Sequence, residues 1–491
     1  MDVERITQKL AGCVGPANVS VRPVEMLFNG LDAEPGRLHA TMYGRVLKRR
    51  APSWVVWPSA AAEVARVVQT ASSEGLALVP YGGGTNLSGS IQLGDDRPVV
   101  VVDLKRMDAV LELDETSLVA HVQAGILGAD LVRTLAARRL SLGHLPTSLS
   151  FSTLGGWLAT HGAGLAMGRH GRIDDLCLSL SAVLPDGGII HTRPAPRKAT
   201  GPDFMHLFLG SEGLFGIVTS ARLRLTRETG PRKSMAAGFP DLHQALSAAS
   251  AMILSGLRPL ELAVVDPDQS QAFGGDENWS LLCSFGGLLA GAEADEALDA
   301  VRDARGRLLD QGMVARWKAW RWSKPFDDLE RRAKEIFVDE LDFAVSWDRA
   351  GDAAQAVQSA LVEAGAHCRV ELGMPSGPGL CLLVSWEHSG LEQIVGDGQG
   401  GAFSTVEEYQ RLDSRRARLW SLVVEAAVGS GAMPFHHRGV GRLRAEFMRR
   451  FAPGDVWMAA QVKQRLDPNG IMNPWLWESV TANGLEDADA R

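Results

Sequence analysis

Three adjacent residues, His436, His437 and Arg438, combine two side chains suited to proton transfer near neutral pH with one fixed cation. On a strand, neighbouring side chains would point to opposite sides, but in a loop both imidazoles can line one pocket. Arg438 beside them can grip a carboxylate or phosphate with two parallel N–H groups. Taken alone, the stretch "HHRG" also reads as a solvated turn. Cys381, in the apolar run "GLCLLVSW", is the third candidate. A thiol there commonly packs, and it becomes a base or nucleophile only if a neighbour such as His436 or Arg438 lowers its pKa.

A second kind of chemistry is carried by glycine. Residues 80–86 read "PYGGGTN", three consecutive glycines after the apolar run "LALVP". Glycine is costly to order, so such a run is either a flexible turn or a loop whose amides must approach something bulky and negative. The segment 145–176, "LPTSLSFSTLGGWLATHGAGLAMGRHGRIDDL", is dense in Gly, Ser and Thr, and "GSEG" at 210–213 adds another glycine turn before a strand. Three separated glycine-rich turns point to one extended cofactor.

The elements that must position these groups follow from periodicity. "WVVWPSAAAEVARVVQTASSEGLALVPYGGGT" predicts a strand, an amphipathic helix with Val64, Val67, Val68 and Ala71 on one face, and a strand ending at the glycines. A β-α-β unit places ligands at the ends of its strands. "RPVVVVDLKRM" and "SLVAHVQAGILGADLVRTLAARRL" predict further strands and a helix, "LCLSLSAVLPDGGIIHT" a hairpin, and "GIVTSARLRLTRE" a closing strand. Beyond about residue 230, Ala- and Leu-rich helical segments alternate with strands such as "ELAVVDP", "WSLLCSFGG" and "GLCLLVSWEH", which predicts a sheet covered by helices. The stretch "DGQGGAFS" reads as a loop or disordered tip.

A chain of 491 residues is too long for one ordinary core. The net charge of −8 argues against a general nucleic-acid binder, so an anionic ligand must be met locally. Five scattered cysteines without a CxxC pair suggest neither a disulfide framework nor a zinc site, and place the chain in a reducing cytoplasm. The opening "MDVERITQKL" has no signal-peptide pattern, and no uncharged stretch reaches membrane-spanning length. In "RWKAWRWSK", residues 316–324, three tryptophans interleave with four cations. That pattern suits either a peripheral membrane contact or a helix packing its indoles.

Taken together, "PSWVVWPSAAAEVARVV", "VPYGGGTNLSG", "STLGGWLAT", "DLCLSLSAVLPDGG" and "GSEGLFGIVT" resemble the FAD-binding domain of the vanillyl-alcohol oxidase and p-cresol methylhydroxylase superfamily. The resemblance implies an α+β fold: a two-subdomain FAD-binding domain at 51–228 and an α+β cap over the substrate at 229–445. Residues 1–50 are expected to be a helical N-terminal segment, and 446–491 to return to the FAD domain. FAD contacts are carried by resemblance onto Tyr81, Gly82, Gly83, Gly84, Thr85 and Asn86, onto Thr147, Ser148, Ser152, Thr153 and Thr160, and onto Glu212, Gly213 and Ile217. Members that tether FAD on the glycine loop do so through a histidine; here Tyr81 and Thr85 flank the glycines, which implies non-covalent FAD.

Within the superfamily, "FSTLGGWLAT", "PAPRKATGPDFMHLFLGSEG", "RRAPSWVVWP" and "HHRGVGRLR" are similar to alkylglycerone-phosphate synthases, which exchange an acyl group for a fatty alcohol without net redox change. That family has a third histidine where this chain has Arg438, and a catalytic tyrosine where ungapped alignment places Cys381. No metal is expected, because Phe435 replaces the glutamate of the metal-binding Glu-His-Gly pattern of related hydroxy-acid dehydrogenases. The tyrosine-to-cysteine change favours an FAD-dependent oxidoreductase that moves hydride from a hydroxylated, anionic small molecule to flavin N5, with His436 or His437 as base and Arg438 as anchor. The alternatives are redox-neutral alkyl transfer and a non-catalytic flavin-binding protein. A homodimer is left open.

Overall fold

The computed structural model describes residues 2–30, 33, 52–91, 93, 97–195, 199–227, 230–333, 336–389 and 406–476. The stretch "DGQGGAFS" and residues 196–198 of "PRKATGPD" lie outside them.

The N-terminal half is built on two sheets. Strands Trp54–Val56, Val99–Asp103 and Ala77–Tyr81 run parallel, with the helix Ala61–Glu74 crossing between the first and last. Val99 to Val102 are all buried, as expected where both faces of a parallel sheet are covered. Val64, Val67, Val68 and Ala71 form the buried face of the helix, which ends at Gly75 in the left-handed conformation. The second sheet is antiparallel, in the order Val110–Asp114, Val119–Gln123, Ile217–Arg224, Cys177–Val183 and Ile189–His191; its last two strands are the predicted hairpin. The first helix, Val3–Val14, buries Ile6 and Leu10 in the same core, and Val19–Ser20 pairs with Trp54–Val56, so this N-terminal part is packed into the first unit.

The second unit is an eight-stranded antiparallel sheet whose two faces have different neighbours. Along Ile336–Ser346, Leu341 and Phe343 point into a core made with the helices Leu242–Leu254, Ala350–Glu363 and Val406–Gly429. Strand alternation then puts Glu340 and Asp342 on the opposite face. In Gly379–Ser389, Leu380, Leu382 and Val384 share that core, leaving Cys381 and Leu383 on the same side as Glu340. This second face meets the N-terminal unit and the helix Gly312–Ala333, whose Met313, Val314 and Trp317 pack with Leu165 and Val265. After the helix Pro453–Leu466 the chain returns to the first unit: Leu78 donates to the Ile471 carbonyl at 2.7 Å, and Asn473 donates back to Leu78 at 2.7 Å. No helix among the described residues is long and apolar enough to cross a membrane.

Candidate active site

A cavity of about 780 Å³ lies between the two units. One wall is made by the glycine-rich turns. All fourteen residues expected to contact FAD line it: Tyr81, Gly82, Gly83, Gly84, Thr85, Asn86, Thr147, Ser148, Ser152, Thr153, Thr160, Glu212, Gly213 and Ile217. Among the described residues, no protein acceptor takes a hydrogen bond from the backbone amides of Gly82, Gly83, Gly84 or Thr85. A row of unspent amides at a strand end fits a pyrophosphate, which is the test the residues pass for FAD. The glycines have a second reason to be there. A Cβ on Gly82 would overlap Thr153 Oγ1, and one on Gly83 the Phe151 carbonyl; Gly84 sits at φ +63°.

The hydroxyls divide into two groups. Ser152 accepts from Trp157 Nε1 at 2.7 Å and donates to the Ser148 carbonyl at 2.9 Å. Thr153 caps the helix Leu154–Ala159 by accepting from Gly156 N at 3.3 Å, and Thr160 donates to the Gly156 carbonyl at 2.8 Å. These three shape the wall, whereas Thr85 and Thr147 keep their hydroxyls uncommitted among the described residues. Glu212 is likewise spent within the protein. Its carboxylate accepts from Ser90, from Val440 N at 3.0 Å and from Gly441 N at 2.9 Å, tying the first unit to the loop after the histidines. Burial raises its pKa.

The opposite wall is charged. The histidine loop leaves Arg438, Gly439 and Gly441 with φ values of +70°, +72° and +55°, and a Cβ on Gly441 would overlap the Ser88 carbonyl. Asp342, fully buried, holds the loop: its Oδ2 accepts from His437 N at 2.7 Å and lies 3.3 Å from His437 Nδ1. Arg444, also buried, donates to Asp342 Oδ1 at 2.9 Å and to the carbonyls of His437 and Gly439, both at 3.2 Å. Burial alone would raise the Asp342 pKa, but Arg444 and His437 outweigh it and hold the carboxyl well below its ordinary range. Both imidazoles are pushed down by burial, His436 to about 3, so both are neutral at pH 7.

The two histidines are not equivalent. His437 lines the cavity and His436 does not, although their Nδ1 atoms are 3.1 Å apart. With Nδ1 of His437 engaged by Asp342 and His436, its Nε2 is left for a reactant. Cys381 also stays off the cavity lining: it is fully buried against Ala163, Met167 and Met374, and burial raises its thiol well above the ordinary value. An inherited base role for Cys381 therefore has no support in this environment.

Arg438 and Lys324 both pair with the single carboxylate of Glu340, and Arg321 pairs with Glu371. Glu340, Lys324, Arg321 and Arg438 all line the cavity. Burial would raise Glu340, but Arg438 and Lys324 hold it ionised. On this wall three cations thus meet two carboxylates; the remaining carboxylate at the cavity, Glu212, lies on the facing wall and is spent on Ser90 and the amides of Val440 and Gly441. The helix carrying "RWKAWRWSK" supplies two of those cations. Trp317 is fully buried, Trp320 lines the cavity, and Lys318 pairs with Glu261 at 2.7 Å, so these side chains are turned inward, as the packing alternative for this segment has it. Asp342, Glu340, Arg444, Arg321 and Lys324 were not singled out from the sequence. The available signal was the alternation in "FVDELDFAV", which sets Glu340 and Asp342 on one strand face.

Residues 52–193 match the family described as FAD binding domain, and residues 230–475, about half of the chain, match FAD linked oxidases, C-terminal domain. The chain is 26% identical to an alkyldihydroxyacetonephosphate synthase of Caenorhabditis elegans over 481 residues, 86% of this chain and 75% of that protein. It is 36% identical to the Dictyostelium discoideum enzyme of the same name over 224 residues, a match that spans 45% of this chain and only 36% of that protein. The glycolate oxidase subunit GlcD of Bacillus subtilis is 31% identical over 236 residues, 48% of this chain and 50% of the subunit. A solved alkyldihydroxyacetonephosphate synthase superposes with a TM-score of 0.77 at 23% identity, covering 96% of this chain and 84% of that one, which establishes the shared fold. With amides free for a pyrophosphate on one wall and a family match over each unit, the chain belongs to the FAD-linked oxidases and is an FAD-binding enzyme related, at low identity, to alkyldihydroxyacetonephosphate synthases.

Proposed function

We propose that the protein oxidises a small hydroxylated monoanion, with His437 as general base and Arg438, Lys324 and Arg321 as the anion site. The observation that carries this reading is the pairing of a carboxylate-held imidazole with a wall on which three cations meet two carboxylates. Asp342 keeps the His437 proton on Nδ1, and the lone pair on Nε2 accepts the proton of the substrate hydroxyl. Bound FAD would supply a two-electron acceptor for the hydride released from the same carbon, leaving a carbonyl product. Arg438 fixes the anionic group, and the apolar side chains of Met374 and Leu383 help exclude water. A dianionic phosphate would exceed the unpaired charge, which favours a carboxylate. The flavin is held without a covalent bond, because neither neighbour of the glycines is a histidine; acid precipitation would then leave the yellow colour in the supernatant, and colour in the pellet would refute this.

Anaerobic stopped-flow against hydroxy acids, phenolic alcohols and acylated dihydroxyacetone phosphate tests the reaction. Bleaching of the flavin by a hydroxy acid, with stoichiometric keto product, is the expected result. A second reading, redox-neutral alkyl transfer, is favoured by the similarity to alkyldihydroxyacetonephosphate synthases over most of the chain. Ether-lipid formation by the parent protein, without lasting bleaching, would replace the first reading with the second. Gain of that activity in Cys381→Tyr alone would mark a synthase pocket with one altered residue.

A further inference from the structure

The donor atoms of Cys381, His436 and His437 lie within 4.8 Å of one another, although Cys381 comes from the strand Gly379–Ser389 and the histidines from a loop more than fifty residues later. The two Nδ1 atoms are 3.1 Å apart. They share a hydrogen bond in the metal-free protein, and since two nitrogens bound at about 2.0 Å to one tetrahedral ion sit roughly 3.3 Å from each other, an ion can replace the shared proton with little movement. Met167 and Met374 pack against Cys381, adding soft thioether sulfur around the thiol. His437 opens onto the cavity, which provides an entry path. Asp342 Oδ2 lies 3.3 Å from the same His437 Nδ1, so an ion there takes the place of the Nδ1 proton and keeps the carboxylate beside it as a counter-charge.

One thiol, two imidazoles and nearby thioethers form a donor set for a thiophilic ion; Mg²⁺, Ca²⁺ and Mn²⁺ prefer oxygen. We infer that Cys381, His436 and His437 form a binding site for Zn²⁺, and that the ion inhibits the enzyme. The inhibition rests on the proposed role of His437, whereas the site itself does not. Coordination through Nδ1 of His437 forces the remaining imidazole proton onto Nε2, which turns the ring nitrogen available to the substrate from acceptor into donor. No redox step is involved: the thiol loses a proton to solvent as the Zn–S bond forms, and a chelator reverses the binding.

The test is a Zn²⁺ titration of the FAD-loaded protein after dialysis against a chelator, with bound metal quantified and its ligands identified by X-ray absorption. The expected result is a single equivalent of zinc with one sulfur and two nitrogen neighbours, and slowing of anaerobic flavin reduction by about tenfold or more, reversed by chelator. Cys381→Ser and Cys381→Ala, two variants of different polarity, should each weaken zinc binding by about tenfold or more, while Cys368→Ser, at the far end of the neighbouring strand, should not. Absence of stoichiometric zinc, or unchanged affinity in a folded Cys381 variant, overturns the site and leaves the proposed reaction untouched. Binding of Cu⁺ in place of Zn²⁺ under anaerobic conditions overturns the choice of ion. Zinc bound through sulfur and two nitrogens with an unchanged reduction rate would retain the site but overturn both the inhibition and the assignment of His437 as base.

Discussion

The two walls of the cavity hold their ligands by opposite means. The glycine wall presents backbone amides and a few hydroxyls, with its one carboxylate, Glu212, committed to Ser90 and to the amides of Val440 and Gly441. The facing wall presents His437, Arg438, Lys324, Arg321 and Glu340, of which His437 and Arg321 are buried and the others half-buried. Backbone can approach a large, fixed cofactor closely, and its dipoles need no counter-ion. Buried side-chain charges must be paired or they are lost to desolvation, so the charged wall is a network in which each member leans on another. A substitution on the first wall should therefore act locally, and one on the second should act on the reaction.

The largest effect expected from that contrast is at His437. His437→Ala should slow anaerobic flavin reduction by roughly 10² to 10⁴, the usual cost of losing a general base. His436→Ala should cost less than about tenfold, since that ring does not line the cavity and touches the reactant only through His437. Equal losses in the two variants would mean that the pair acts as a unit and that the geometry separating them has been misread. Next comes Arg438→Ala. Removing a charged binding partner costs about 1.5 to 3 kcal/mol, so KM should rise roughly ten- to hundredfold with kcat nearly unchanged. A fall in kcat with KM constant would place Arg438 in the transition state.

How legible each wall is from sequence follows from the same contrast. "PYGGGTN", "STLGG" and "GSEG" are contiguous strings in which backbone geometry is written directly as glycine, and all fourteen residues carried onto the cofactor line the cavity. The charged wall is assembled from Arg321, Glu340, Glu371 and Arg438, positions spread over more than a hundred residues and brought together only when a helix, two strands and a loop pack. Nothing local to "RWKAWRWSK" says that its cations meet Glu261, Glu340 and Glu371, so the segment looks like a surface until the sheet is built. The histidine pair was visible, but which member faces the reactant depends on Asp342, ninety-five residues away. The glycine wall carries a second constraint that its string of glycines does not spell out. Gly82 and Gly83 make room for Thr153 and Phe151 as well as for a phosphate, so Gly83→Val would disturb protein packing as well as FAD binding.

A smaller effect, spread over pH, should come from His144, whose ring packs against Trp157 with centroids 4.7 Å apart. It is 1% exposed, neither ring nitrogen has a hydrogen-bond partner among the described residues, and burial pushes its pKa down to about 3. The folded protein thus resists a proton that the unfolded chain takes up near 6.5. Between about 6.5 and 3 the unfolded state binds more protons, so stability falls as pH falls through that window. One such group contributes about 1.4 kcal/mol per pH unit. Denaturant unfolding at pH 7, 6 and 5 should show a shallower decline in His144→Leu than in the parent; parallel declines would mean that His144 gains a partner or water and titrates normally.

The smallest predicted effect separates two hydroxyls on the glycine wall. Thr147 offers a side chain that no described protein group uses, so Thr147→Val removes at most one hydrogen bond to the cofactor. That is worth about 0.5 to 1.5 kcal/mol, and FAD affinity should fall by no more than roughly tenfold while the unfolding midpoint stays put. Ser152 lines the same wall, but its hydroxyl accepts from Trp157 Nε1 and donates to the Ser148 carbonyl, and Trp157 is only 3% exposed. Ser152→Ala leaves the buried indole N–H without an acceptor, which costs about 1 to 3 kcal/mol of stability. Flavin fluorescence titration and urea unfolding of the two variants should therefore give opposite patterns. If Ser152→Ala lost FAD affinity without losing stability, its hydroxyl would serve the cofactor rather than the wall, and the division between shaping and contacting residues would have to be redrawn.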